Sequence, residues 1–123
     1  MKIVATATGP TLDHEIDPRF GRCAQFLLVD TDEMQATPLA NAGASAGGGA
    51  GIQAAQLVAD QGAAAVLTGN CGPNAHRTLT AAGIQVISGC SGTVREAVEQ
   101  FKAGKLQAAD APTVASKYGV SGA

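Results

Sequence analysis

At 123 residues the chain suits one domain, large enough to bury a core without disulfide or metal staples. Apolar residues make up 46%, charged residues 15%, and the net charge is −2 with no basic run, so nucleic acid and anionic membrane are excluded as expected partners. No stretch approaches the ~20 apolar residues of a membrane span, and three scattered cysteines without a Cys-x-x-Cys fit neither a disulfide scaffold nor a four-ligand zinc site.

Met1-Lys-Ile-Val-Ala-Thr6 is too short and strand-like for a signal peptide, and the odd, widely spaced cysteines make a reducing cytoplasm the expected setting. Lys2–Ala7 is an apolar run closed by Thr8-Gly-Pro10 and predicts a buried strand. Thr11–Arg22 has no apolar period and reads as an ordered loop. Gln25–Asp30 and Gln35–Ala40 predict two further strands, joined by Thr31-Asp-Glu-Met34 as an antiparallel pair.

After a small-residue loop at 41–50 the period changes. From Gly51 to about Gln61 the polar residues Gln53, Gln56 and Asp60 mark the wet stripe of a helix ended by Gly62. Ala63–Thr68 predicts a strand. Pro73 opens the next helix, with Ala75, Leu79 and Ala82 on one face and a stop at Gly83. Ile84–Ser88 is the last strand. Thr93-Val-Arg-Glu96 is a capping box, followed by Val94, Ala97, Val98 and Phe101 at helical spacing, with Gly104 past the end. From about residue 109 the small polar residues predict a flexible tail, leaving 1–108 as a single domain.

The order β-β-β-α-β-α-β-α predicts an α/β fold: a mixed five-stranded sheet, a meander followed by crossover helices, with helices on its faces. That order also describes the ribonuclease-H-like fold. Nucleases of that fold hold two metal ions with strand carboxylates, and neither Lys2–Ala7 nor Ala63–Thr68 carries one. If strand one runs parallel to the last two, the turns 17–22, 47–51, 68–73 and 88–93 gather at one end of the sheet, where open α/β sheets bind ligands.

Three of these turns lead into helix N-termini, which carry partial positive charge and unpaired N–H groups. Gly47-Gly-Gly-Ala-Gly51 fails the dinucleotide fingerprint at Ile52 and has no following Lys-Ser/Thr pair. It reads as an anion cradle not specific for nucleotides, or as a flexible linker. Arg19 and Arg22 supply charge, or else pair with Asp13, Glu15 or Asp17. Phe20 is expected to plug the core rather than wall a pocket.

Cys71 and Cys90 lie two or three residues before helix starts, where a thiol's pKa is expected to fall, unless they are inert buried hydrophobes. His76, five residues after Cys71, could join it on one copper or zinc ion, and His14 reads as an exposed loop residue. No carboxylate sits in the later loops to orient a catalytic base, so no catalytic set is expected.

The runs Asp17-Pro-Arg-Phe-Gly-Arg22, Gly69-Asn-Cys-Gly-Pro73, Ala82-Gly-Ile-Gln-Val86 and Glu96-Ala-Val-Glu-Gln-Phe-Lys-Ala-Gly104 resemble the signature loops of the dinitrogenase iron–molybdenum cofactor-binding family. The resemblance covers about residues 1–108. Within the family, Gly-Ala-Gly-Ile-Gln-Ala-Ala at 49–55 is most similar to the orange proteins, which carry a molybdenum–copper sulfide cluster without covalent protein bonds. It implies a ribonuclease-H-like fold and a non-catalytic carrier or scaffold for an anionic molybdenum-containing metal–sulfur cluster. Many relatives have a His-rich stretch before the first helix. Here Ala44–Gly51 has none, which argues against histidine ligation.

The expected binding set is Arg19 and Arg22 for charge, with Gly48, Gly49, Ala50, Gly51 and Ile52 at one helix start. At the next it is Gly69, Asn70, Gly72, Pro73 and Asn74, with Cys71 and His76 as soft contacts and candidate metal ligands. The alternative reading is a regulatory module without obligatory metal, meeting a protein partner such as a ParA/Mrp-type ATPase. A redox enzyme using Cys71 is the third.

Overall fold

A computed structural model describes residues 1–41 and 49–106 of the chain. The expected contact Gly48 and the expected tail at 109–123 lie outside these residues. The elements are β1 (Lys2–Ala7), β2 (Gln25–Asp30), β3 (Gln35–Ala40), α1 (Ala50–Asp60), β4 (Ala65–Leu67), α2 (Pro73–Ala81), β5 (Gln85–Ile87) and α3 (Val94–Lys102). The mixed five-stranded α/β sheet expected from the sequence is present, in the order β3-β2-β1-β4-β5. β1, β2 and β3 pair antiparallel, while β4 pairs parallel with both β1 and β5.

Alternation along the strands builds two cores. Ile3, Ala5, Leu27, Val29 and Leu67 face α3 through Val94, Ala97 and Val98. Val4, Phe26, Val66 and Val86 face α1 and α2 through Ala54, Ala55, Val58, Ala75 and Leu79. Each fully buried Val, Leu or Ile side chain contributes about 1.5–3 kcal/mol. β4 and β5 are shorter than expected, because only residues 65–67 and 85–87 pair in the ladder. Ala82, expected in the apolar face of α2, is exposed because the helix ends at Ala81 and Ala82 is its C-cap.

The loop between β1 and β2 is ordered and contributes to both cores. Leu12 and Ile16 join the α3 side and Phe20 the other. Single bridges fasten it at Ala7–Ile16, Glu15–Thr93 and Arg19–Asn70. His14 is exposed, and its Nδ1 lies 2.9 Å from Thr11 Oγ1. The register Ala7–Gln25 and Gln25–Ala40 puts the end of β1, the start of β2 and the end of β3 on one sheet edge.

Candidate anion-binding site

Asp17 organises the arginine loop. Its carboxylate, in a residue only 3% exposed, accepts from the backbone N–H of Arg19 (3.0 Å) and of Ala24 (3.1 Å), and from Arg19 Nε at 3.4 Å. One buried anion thus ties both ends of the turn together, the first bond being an Asx-turn. Beneath it, Thr6 Oγ1 donates to Asp17 O at 2.7 Å and lies 2.9 Å from Thr68 Oγ1. Asn41 closes the far side, its amide donating to Gly21 O and Cys23 O, both at 3.1 Å. The roles of Asp17 and Asn41 as organisers are additions from the structure. The Asp17-Pro18 pair was the signal for the first; a lone Asn at a strand end gave none for the second.

The cysteine-bearing turn meets this loop directly. Phe20 N donates to Asn70 O (3.1 Å), and Asn70 Nδ2 donates to Pro18 O (3.2 Å). A Cβ on Gly69 would come within 2.6 Å of Pro18 Cα, so the approach needs glycine there. Gly69 O also accepts from Gly89 N at 2.8 Å, bringing in the turn before α3. Gly69 and Asn70, expected as anion contacts, therefore form the joint between turns. Phe20 is buried beside Phe26, with ring centroids 5.7 Å apart. Arg19 is the partner of Asp17, its side chain 61% exposed. Arg22 is exposed beside Gly21.

Gly21 packs on α1: a Cβ there would lie 3.0 Å from Gly51 Cα, and one on Gly51 would lie 3.4 Å from Ala75 Cβ in α2. The three small residues let the loop and two helix starts close together. Between them is an open cleft of about 200 Å³, lined by Gly21, Gly49, Gly51, Ile52, Gly72, Pro73, Asn74 and Ala75. Of the expected set, Gly49, Gly51, Ile52, Gly72, Pro73 and Asn74 are brought together there. Ala50 is buried behind them.

Both helices open uncapped onto this cleft. Gly49, the N-cap of α1, has φ 80°, a left-handed conformation that glycine adopts without strain. Gly72, the N-cap of α2, is extended, with Pro73 following it. Neither helix has a side-chain cap or an acidic residue in its first turn, so the first-turn N–H groups have no acceptor within the helix. Each start carries roughly half a positive charge.

The third expected helix start is closed. Thr93 N donates to Glu96 Oε1 (2.9 Å), Glu96 N to Thr93 Oγ1 (3.1 Å), Val94 N to His14 O and Arg95 N to Leu12 O (both 2.9 Å). Loop and capping box together use the first-turn donors of α3.

The thiols correct the expected acidity. Burial pushes Cys71 up to about 11 and also raises Cys90, so neither is an activated thiolate. Cys23 rises to about 12, chiefly from burial and then from the Asp17 carboxylate. Withdrawal from water outweighs a nearby helix start. His76 is half-buried in the first turn of α2. Among the described residues no group of three or more His, Cys, Asp or Glu side chains could hold a metal ion.

Residues 1–104 match the protein family described as dinitrogenase iron-molybdenum cofactor. The chain belongs to that family. Within its fold, the orange protein from Desulfovibrio gigas, solved in its apo form, is 46% identical with a TM-score of 0.89, over 92% of this chain and 96% of that one. A putative NifB protein from Thermotoga is 30% identical with a TM-score of 0.78, over 93% and 97%. An uncharacterized protein of Methanocaldococcus jannaschii is 28% identical over 101 residues, 80% of this chain and 86% of that protein. Among the described residues no helix is long and apolar enough to cross a membrane.

Proposed function

We propose that this family member is a non-catalytic carrier that binds an anionic molybdenum-containing metal–sulfur cluster, of molybdenum–copper sulfide type, without covalent bonds. The observation that supports it most is the cleft between two uncapped helix starts with no carboxylate in their first turns. A multiply charged, sulfur-surfaced anion is matched there by N–H groups and helix dipoles, with the exposed Arg22, next in the chain to Gly21, adding positive charge to the same loop. Ile52, Pro73 and Ala75 offer apolar surface to its sulfur atoms. Cys71 and His76 lie close to Gly72 in the chain as soft neighbours, and a buried thiol with a raised pKa suits weak contact better than thiolate ligation. Three free thiols fit a reducing compartment such as the cytoplasm.

The reading is tested by mixing apo protein with tetrathiomolybdate and copper(I) and passing the mixture through a desalting column. A visible chromophore retained at a fixed ratio to protein is expected, and a Cys71→Ala variant should retain it too. If no chromophore is retained and titration with either component releases no heat, the carrier reading fails in favour of a protein-binding module, with a ParA/Mrp-type ATPase as the first partner to try.

A further inference from the structure

Ile52 does little for the core. The residues α1 buries are Ala50, Ala54, Ala55 and Val58, whereas Ile52 is 38% exposed and lines the cleft. Among the described residues the only other exposed large hydrophobic is Met1, at the chain terminus. The same cleft is lined by Pro73, which has no N–H, and by Ala75, whose side chain carries no polar atom. Helix dipoles attract any dianion alike. An apolar wall does not: it strips water from an oxo group and returns no hydrogen bond, whereas a sulfido group is larger, softer and less strongly hydrated.

We infer that Ile52 is a specificity-determining residue of this cleft, favouring sulfur-surfaced anions over oxygen-surfaced ones of the same charge and tetrahedral shape. The inference rests on the carrier reading above and adds to it the residue that discriminates. Ile52→Thr keeps the branched shape and puts a hydroxyl in place of apolar surface, and Ile52→Val trims the side chain without adding polarity.

The test measures dissociation constants of the apo protein for tetrathiomolybdate and for molybdate by anaerobic calorimetry. Melting curves confirm that each variant is folded. Wild type should prefer tetrathiomolybdate. Ile52→Thr should lower that preference about tenfold, the scale on which one group in a pocket discriminates, and Ile52→Val should keep it. An unchanged preference in folded Ile52→Thr overturns the inference while leaving the carrier reading intact. Loss of preference in Ile52→Val as well would overturn it too, by tracing the effect to packing instead of polarity. Wild type that binds neither anion overturns the inference, and the chromophore test with copper(I) then decides the carrier reading separately.

Discussion

Cys23, Cys71 and Cys90 are all buried, and burial sets their acidity. The thiols of Cys23 and Cys71, near 12 and 11 in the folded protein, sit above the ordinary 9.0. Above pH 9 the unfolded chain releases protons that the native protein keeps, so rising pH favours unfolding. The stabilisation is therefore complete below pH 9 and is lost as pH rises through 11 to 12. Urea midpoints should hold steady between pH 7 and 8.5 and fall between pH 9 and 11, and a Cys23→Ala/Cys71→Ala variant should show a shallower fall. Equal slopes would mean that thiol burial does not govern the alkaline limb. Residue chemistry of this kind was poorly legible in the sequence. The position of Cys71 before a helix argued for a thiolate, and only its burial, a property of the assembled core, reverses that. Arg19 was ambiguous for the same reason: three carboxylates lie within reach in sequence, and the fold selects Asp17.

The elements were the most legible level. β1, β2 and β3 keep the boundaries that their apolar runs predict, and each helix stops just before its glycine, because alternation, helical period and end signals agree locally. The loop from Thr11 to Arg22 shows the limit. Leu12, Ile16 and Phe20 are buried although the segment forms neither helix nor strand, and their burial depends on bridges to distant strands and turns. The cradle glycines also divide by element. Gly69→Ala drives a Cβ into the Pro18 backbone and should cost about 1–3 kcal/mol, like other overpacking changes. Gly72→Ala meets open space at an extended φ of −72°, so it should cost at most about 1 kcal/mol as a poorer N-cap, while narrowing the cleft. Denaturant unfolding of the two variants checks the contrast, and equal stability losses would refute the assigned packing.

At the scale of the whole molecule, segments some fifty residues apart in sequence build one site. The antiparallel meander and the parallel crossovers deliver the arginine loop, the start of α1 and the start of α2 to the same sheet edge. Topology made that convergence predictable, since strand direction alone decides which ends meet. The exclusion of α3 was predictable only in part: its capping box is legible in the sequence, but the carbonyls of a loop eighty residues earlier that accept from Val94 N and Arg95 N are not. The account depends on the two remaining helix starts acting as the electropositive wall. Asn74→Asp places a carboxylate in the first turn of α2, where it should stabilise the helix by about 0.3–1 kcal/mol while repelling an anionic ligand. The deciding measurement is the tetrathiomolybdate dissociation constant of Asn74→Asp against wild type at low ionic strength, with melting temperature followed in parallel. The account predicts binding weakened about tenfold or more in a protein that melts no lower than wild type. Undiminished affinity in that variant would contradict it.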